Sequence, residues 1–211
     1  MNIIEIYDTI LAGEGHFTTR EIARATGTSV PKTCKALAKL AGLGKIAKIR
    51  RGRWVLLSKT RRLRLPELLA GAPAYCTAHT ALAHHGMIGQ IPDAIYAATT
   101  GRSRKAATPF GAIRLHRVAK PLFKGWQTRK GGEKIAGPEK ALVDFFYLGA
   151  AGHPHFKSLP EVDIPEGFSW EKALRFAGDI PNRARKTAVA RKLAAQKESC
   201  AITASQDSAE M

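Results

Sequence analysis

The sequence predicts an α+β protein in two parts, and three observations lead to this prediction. Apolar residues recur at helical spacing in three short segments within the first forty residues or so. A stretch rich in β-prone side chains follows, interrupted by a glycine in a basic turn. Beyond a boundary rich in glycine and proline, strand-like and helix-like patterns are mixed. We therefore expect an N-terminal domain over residues 1–60, a linker over 61–73, a mixed α/β domain over 74–195 and a disordered tail over 196–211.

Three helices are expected at the start of the chain, and each has a recognisable start or stop. Residues 2–12 place apolar side chains at helical intervals. Thr18 and Glu21 have the spacing of a capping box, which begins a second helix that Gly27 ends. Ser29 is positioned to cap a third helix. Two short helices joined by a glycine-containing turn are typical of a helix-turn-helix, whose second helix enters the major groove of DNA.

The third helix has two faces, and their spacing predicts which side chains reach a partner. The residues expected to pack on the first two helices are Val30, Cys34, Leu37, Ala38 and Ala41, with Cys34 as a small buried apolar side chain. The outward residues are Lys32, Thr33, Lys35, Ala36 and Lys39. Residues near the N-terminus of such a helix reach deepest into the groove. We therefore expect base edges to be contacted by Thr28, Ser29, Lys32 and Thr33, and phosphates by Lys35 and Lys39.

Residues 45–57, with the sequence KIAKIRRGRWVLL, predict a β-hairpin whose tip is strongly basic. Gly52 supplies the residue that a tight turn needs, and Trp54 is expected to anchor the hairpin in the core rather than to stack on a base. The cationic side chains of this hairpin are Lys48, Arg50, Arg51 and Arg53. A helix-turn-helix followed by a basic hairpin is the order of a winged helix-turn-helix domain. We therefore expect the hairpin to be the wing and to hold the flanking DNA backbone or minor groove.

The charge of the chain favours a polyanionic partner. The 211 residues include 34 Lys and Arg against 17 Asp and Glu, a net charge of +17. Between residues 19 and 64 there are six Lys and eight Arg against one acidic residue, Glu21. No segment approaches the roughly 18 consecutive apolar residues of a membrane span, and the N-terminus has no basic region before an apolar block. We expect a soluble, cytoplasmic protein that binds double-stranded DNA and no membrane.

The second part of the sequence predicts alternating helices and strands. A helix is expected from about Thr77 to His85, and strands are expected at 94–100, within 111–119 and within 132–137. A strongly apolar helix follows at 137–149, and two further helices precede the tail. Three cationic residues are expected in a flexible loop after the first strand: Arg102, Arg104 and Lys105. The pattern is that of a mixed α/β domain.

No familiar catalytic or metal-binding motif is present in the sequence. His79 and His84 are five residues apart and fall on different helix faces, so His84 is expected to be buried or to cap a helix end. The three cysteines have no CxxC spacing, which argues against a disulfide framework and a zinc site. Asp93, Glu133 and Asp144 could surround Mg²⁺ in a nuclease, but a buried hydrogen bond explains Asp144 more simply. We expect no enzyme, no catalytic residue, no cofactor and no bound metal.

Two segments of the second domain carry a resemblance to a known family. Residues 80–100, TALAHHGMIGQIPDAIYAATT, and 138–144, PEKALVD, follow the helix-turn-helix and hairpin. Over residues 1 to about 195, this combination resembles the AbiEi-like antitoxins of bacterial type IV toxin-antitoxin (abortive infection) systems. The resemblance implies an N-terminal domain that binds inverted repeats in its own promoter and represses it, and a C-terminal domain that carries antitoxicity. It also implies a nucleotidyltransferase-like toxin encoded next door, neutralised without a stable complex.

Two further expectations concern assembly and an alternative function. A homodimer is expected on a palindromic site, because operator symmetry mirrors protein symmetry. The basic stretch from Lys186 to Lys197 matches no motif of the family. The alternative function is a stand-alone winged-helix regulator whose second domain senses a ligand or dimerises. A nucleotidyltransferase-like gene immediately downstream would favour the antitoxin.

Overall fold

A computed structural model describes residues 2–207 of the chain as a mixed α+β protein with two sheets. The helices are α1 (Ile3–Ala12), α2 (Thr19–Ala25), α3 (Val30–Gly42), α4 (Leu65–Ala70), α5 (Ala78–His84), α6 (Pro138–Ala150), α7 (Trp170–Gly178) and α8 (Arg183–Asp207). The strands are β1 (His16–Thr18), β2 (Ile46–Arg50), β3 (Arg53–Leu56), β4 (Ala74–Cys76), β5 (Ala94–Thr99), β6 (Arg104–Thr108), β7 (Gly111–Arg117), β8 (Trp126–Thr128) and β9 (Lys134–Ala136). Short 3₁₀ turns occupy Arg62–Arg64, Lys120–Leu122 and Pro154–Phe156. The expected α+β class is confirmed.

The N-terminal part combines three helices with a three-stranded antiparallel sheet of order β1-β3-β2. The expected capping box of α2 is present, since the Thr18 hydroxyl accepts from the Glu21 amide and the Glu21 carboxylate accepts from the Thr18 amide. The hairpin turns through Gly52 at φ +70°. Strand β1 was not predicted, because three residues are too few to show an alternating pattern. The arrangement is compatible with a winged helix.

The second part is built on a six-stranded mixed sheet of order β6-β7-β5-β4-β9-β8. The β5–β7 and β4–β9 pairs are parallel and the others antiparallel. Helix α6 lies against α5, α7 and α8, and ten consecutive residues from Glu139 to Leu148 are buried. A helix that is surrounded by protein on all sides is apolar around most of its circumference, as its sequence indicates. The predicted strands β5, β7 and β9 are confirmed, whereas β4, β6 and β8 were missed.

The segment 61–73 is not the expected linker. Leu65 is fully buried and Leu69 nearly so, both in α4, and they belong to one apolar core with Ala47, Ile49 and Val55 of the hairpin and the apolar residues of the second sheet. One face of the hairpin therefore packs on the second part of the protein. The segment is as short as a linker and contains the glycine and prolines that are typical of one. Its leucines, however, recur at helical spacing, and their burial places the segment between the two parts.

Two other expectations about mobile segments are corrected. Arg104 and Lys105, which we expected in a flexible loop, begin strand β6 at the edge of the second sheet. Residues 196–207, expected to be disordered, continue α8 as far as Asp207. The last four residues of the expected tail lie outside the described residues. In both places polar residues form part of a regular strand or helix, so their polarity does not indicate a flexible backbone.

Two helical glycines should respond oppositely to replacement by alanine. A methyl group on Gly149 of α6 would collide with the backbone carbonyl of Phe156 in the Pro154–Phe156 turn, whereas one on Gly42 of α3 would meet nothing within 4 Å. We expect Gly149→Ala to lower the free energy of unfolding by about 1–3 kcal/mol through overpacking. Gly42→Ala should raise it by up to about 1 kcal/mol through helix propensity. Urea denaturation followed by circular dichroism measures both, and equal effects would contradict the close approach of Phe156.

Candidate nucleic-acid interface

Helix α3 presents a basic face, but its rotation differs from the prediction. The lysines at 32, 35 and 39 are exposed, as expected. Leu37 and Leu40 are buried together with Thr33, which is fully buried and donates its hydroxyl to the Ser29 carbonyl at 3.1 Å. Thr33 therefore cannot contact a base edge, and this expectation was wrong. When a threonine hydroxyl forms a hydrogen bond within its own helix, burying the side chain costs little free energy. The polarity of the residue alone therefore does not predict whether it is exposed.

The same rotation exposes residues that were assigned to the core. Cys34 is exposed rather than a small buried side chain, and Val30 and Ala38 are exposed with it. Leu40, which the predicted inner face omitted, replaces them in the core. The buried positions 33, 37 and 40 follow the spacing i, i+4 and i+7, which describes a single helix face. The three lysines lie on the opposite side of the helix from this set.

A groove of about 580 Å³ runs along the basic face of α3. It is bounded by α1, by the turn between α2 and α3, and by α3 itself: its lining residues are Ile3, Ile6, Thr26, Gly27, Thr28, Ser29, Lys32, Lys35, Ala36 and Lys39. Three lysines line the groove, and no acidic residue is among the described residues that line it. The groove thus combines positive charge with backbone and hydroxyl groups that can form hydrogen bonds to a ligand.

The turn between α2 and α3 offers polar groups beside the lysines. Ser29 occupies the N-cap position of α3 and is exposed, but its hydroxyl makes no capping hydrogen bond. Thr28 is half-buried, and its hydroxyl donates to the Thr26 carbonyl at 3.3 Å. Gly27 permits the turn at φ +62°. Ser29 is therefore placed better than Thr28 to reach a base edge, since its side chain is not committed to the turn.

The basic residues of the hairpin fall into two groups. Lys48 and Arg51 are exposed, and Arg53 is half-buried next to the turn. Arg50, which we expected on DNA, instead directs its guanidinium over Gly71 at the C-terminus of α4. Burial lowers the pKa of the Arg50 guanidinium, and the nearby cations of the same surface lower it further. Arg50 thus packs between the hairpin and the second part, so only the other three cations of the hairpin remain directed to a partner.

Trp54 anchors the hairpin, as predicted. Its side chain is 7% exposed, and its indole N–H donates to the hydroxyl of buried Thr19 at 2.9 Å. Lys48 Nζ lies 5.7 Å from the centre of the Trp54 ring. The expectation of a core tryptophan is confirmed, and the hydrogen bond satisfies the one polar group that its burial would leave unpaired.

Other basic residues near the interface have separate roles. Arg61 and Arg64, which continue the basic sequence, pack on the turn at Gly131 and Gly132, and Arg61 donates to the Lys130 carbonyl at 3.3 Å. They therefore join the two parts of the protein. Arg20 and Arg24 of α2, which the predicted site omitted, are exposed. Their i, i+4 spacing places both on one face of the helix that precedes α3, and this spacing could have been read from the sequence.

The residues considered for catalysis or metal binding are held by other contacts. Asp144 is fully buried and accepts hydrogen bonds from Tyr75 and Thr77, which confirms the expected buried hydrogen bond. His84 is exposed and accepts from Arg129, so the expectation of a buried or capping side chain was wrong. The adjacent His85 instead reaches the Ala136 carbonyl at 2.7 Å. Among residues 2–207, no group of three or more His, Cys, Asp or Glu side chains is placed to hold a metal ion.

Comparisons with protein-family models and with curated proteins find no match for this chain. In the part of the chain that the structure describes, no helix is both long and apolar enough to cross a bilayer.

Proposed function

We propose that this protein is a DNA-binding antitoxin that represses its own promoter and neutralises a nucleotidyltransferase-like toxin. The observation that carries the DNA-binding part is the groove of α3, where three exposed lysines converge beside the turn that opens the helix. The first and last of these lysines are seven positions apart, roughly 10 Å along the helix at 1.5 Å per residue. Duplex DNA carries one charge per about 1.7 Å of its axis, so several phosphates would lie within reach of this face.

The proposal assigns different tasks to different side chains. Ser29 and Lys32 lie at the start of α3, where a recognition helix meets base edges. Lys35 and Lys39 lie further along the helix and are placed to contact the phosphates on either side of the DNA major groove. The hairpin cations that remain directed to a partner, Lys48, Arg51 and Arg53, suit the flanking backbone. Arg50 has no part in this assignment, because its guanidinium packs over Gly71.

The antitoxin part of the proposal is supported by the resemblance of residues 80–100 and 138–144 to AbiEi-like antitoxins. One observation favours the alternative of a regulator whose second domain controls DNA binding. The hairpin shares an apolar core with α4 and the second sheet, so a change in the second part would be transmitted to the hairpin. Co-expression with the toxin encoded next door separates the two proposals: rescue of growth supports an antitoxin, and growth arrest that persists supports a stand-alone regulator.

Binding of the full chain to its own upstream DNA tests the DNA-binding proposal. We expect the upstream duplex to be preferred over a scrambled duplex of equal length, measured by fluorescence anisotropy at one fixed salt concentration. A specific site is typically preferred by roughly 10³-fold or more. Equal affinity for the two duplexes would contradict recognition of a promoter site.

Removal of charge from the tip of the hairpin should affect all DNA sequences alike. We expect Arg51→Ala with Arg53→Ala to weaken binding to upstream and scrambled DNA by the same factor. The slope of log affinity against log salt should become shallower by about 1.8, because each phosphate contact contributes about 0.9. Arg50→Ala is the matched control and should leave the slope unchanged, since that guanidinium faces Gly71. If Arg50→Ala changes the slope as much as replacing one tip arginine does, Arg50 does not differ from the other basic residues of the hairpin, and the two groups are wrong.

A further inference from the structure

A second group of basic and aromatic side chains lies on one face of the second sheet. Arg114 and His116 are two residues apart on β7, so they point to the same face. Tyr96 on β5 and Lys105 on β6 are the cross-strand partners of Arg114, which places them on that face as well. The Pro154–Phe156 turn covers this face and brings its histidines to the same place.

His116 lies at the base of this group. Its side chain is only 6% exposed, and its ring centre is 4.7 Å from that of His153 and 6.3 Å from that of Tyr96. Its Nε2 atom is buried and has no hydrogen-bond partner among the described residues. Most buried ring nitrogens are paired, because a polar atom left unpaired in a protein interior loses its hydrogen bonds to water without replacement. An unpaired nitrogen at the base of a polar group therefore points to a ligand.

The neighbours of His116 are held in defined positions. Arg114 Nη1 donates to His155 Nε2 at 2.7 Å, and Arg114 Nη2 pairs with Asp93 at 3.3 Å. Asp93 also accepts from the Tyr96 hydroxyl at 2.8 Å. Arg114 therefore bridges the His155 ring and the Asp93 carboxylate. Asp93 thus orients the Arg114 guanidinium, and its two carboxylate oxygens are committed to Arg114 and Tyr96.

Positive charge is in excess around this group. The titratable and charged residues that face His116 are Lys105, Arg114, His153, His155, Asp93 and Tyr96, with Arg185 next to His153. Asp93 is the one acidic residue of this set, and it is committed to Arg114 and Tyr96. Burial first, and then the nearby His153, His155, Arg114 and Lys105, lower the pKa of His116 to about 4, and burial followed by Arg185 lowers that of His153. Both imidazoles are therefore neutral in the unliganded protein near neutral pH.

We propose that this group of side chains binds a phosphate group, carried by a nucleotide or by the end of a nucleic-acid strand. His116 and His153 supply ring N–H donors at the base of the site, and the exposed Lys105 and half-exposed Arg185 supply charge at its rim. The oxygens of a phosphate group accept several hydrogen bonds at once. A site whose hydrogen-bond donors come from separate elements can supply these bonds together. A metal cation is disfavoured by the same surplus of positive charge.

Phosphate binding at this site takes up protons. A bound dianion favours the charged imidazolium and raises the pKa of His116 from its unliganded value of about 4. At a pH between the pKa of His116 in the free protein and its higher pKa in the complex, the complex holds more protons than the free protein and free phosphate together. Affinity therefore rises as pH falls through the pKa of the complex, by up to about tenfold per pH unit for each proton taken up.

Inorganic phosphate titrated into the full chain with labelled histidines tests the proposal. We expect the ring resonances of His116 and His153 to shift with phosphate, and the affinity to be higher at about pH 6 than at about pH 8. Lys105→Ala should weaken binding about tenfold, the effect of one lost charge-assisted hydrogen bond. The side chain of Lys105 is exposed, so this variant should remain folded.

Two controls separate this site from general charge and from the groove of α3. Lys197→Ala removes an equal exposed charge on α8, roughly 18 Å along the helix from Arg185, and should leave the affinity unchanged. Replacing Lys32, Lys35 and Lys39 by alanine should also leave it unchanged, so failure of DNA binding and failure of this site are distinguishable. The proposal is overturned if the two ring resonances do not respond, or if Lys105→Ala and Lys197→Ala weaken binding equally.

Further titrations identify the source of the phosphate group. Adenosine monophosphate binding at least as tightly as a 5′-phosphorylated oligonucleotide would assign the site to a nucleotide. Tighter binding of the 5′-phosphorylated oligonucleotide than of its 5′-hydroxyl counterpart, together with weak binding of the mononucleotide, would assign it to a strand end. Equal binding of the two oligonucleotides with no effect of Lys105→Ala would overturn the site.

Discussion

Replacing Lys32, Lys35 and Lys39 together by alanine is expected to weaken binding to the upstream DNA by about two orders of magnitude at about 0.15 M salt. All three side chains are exposed and line one groove. If each neutralises one phosphate, the variant releases three fewer counterions, and each contributes about 0.9 to the dependence of log affinity on log salt. The slope should therefore become shallower by nearly three, about 2.7, when anisotropy titrations are repeated over a range of salt concentrations.

The control is a second set of three exposed cations on α8. Replacing Lys186, Arg191 and Lys197 by alanine removes the same charge from the other part of the protein. This variant should lose at most a fewfold in affinity, because these side chains act only through the overall field. Equal losses in the two variants would show that net charge, rather than the groove of α3, determines binding.

Single replacements within α3 separate recognition from attraction. Lys32→Ala should reduce the preference for upstream over scrambled DNA, because this side chain lies at the start of the helix that meets the base edges. Lys39→Ala should weaken both complexes by the same factor. A uniform effect of both replacements would remove Lys32 from the set of base-reading residues.

The helix-turn-helix and hairpin were predictable because their signals are local. A capping box, a glycine turn and an amphipathic period act within a few residues, and Thr18 with Glu21 behaves as that spacing indicates. The rotation of α3 was harder to predict from the same signals. Apolar counting favours Cys34 and Ala38 as inner residues, whereas the structure buries Thr33 and Leu40. The hydrogen bond from the Thr33 hydroxyl to the Ser29 carbonyl satisfies this side chain inside the core, and hydropathy does not register it.

Contacts between distant segments account for the remaining differences. The packing of the hairpin on α4 brings Ile49 into one apolar core with Leu65 and Leu69, and nothing in the spacing of these residues specifies that they share it. The histidine group likewise joins His116 to a turn almost forty residues further along the chain. A search for metal-ligand spacing within short segments cannot detect such a group, because its members converge only when β7 and the Pro154–Phe156 turn fold together.

Asp144→Ala is expected to lower the free energy of unfolding by about 3–5 kcal/mol, a large effect for one side chain. Asp144 is fully buried, accepts from the Tyr75 hydroxyl at 2.8 Å and the Thr77 hydroxyl at 2.7 Å, and pairs with Lys140, whose side chain is 1% exposed. Its removal takes from the buried Lys140 ammonium the carboxylate that contacts it, from the Thr77 hydroxyl its acceptor, and from the Tyr75 hydroxyl the nearer of its two acceptors.

The double variant Lys140→Met with Asp144→Leu tests whether the cost arises from the unpaired charge. Replacing a buried ion pair by apolar side chains of similar size is often close to neutral, so this variant should recover much of the stability lost in Asp144→Ala. Urea denaturation gives the free energy of each variant, and a double-mutant cycle with the single replacements gives the coupling between them. A loss below about 1 kcal/mol in Asp144→Ala would show that water or a rearranged neighbour satisfies Lys140. Destabilisation of the double variant as large as that of Asp144→Ala would instead place the cost in the lost hydrogen bonds of Tyr75 and Thr77. The network would then stabilise the junction of β4 and α5 through its hydroxyls rather than through its charges.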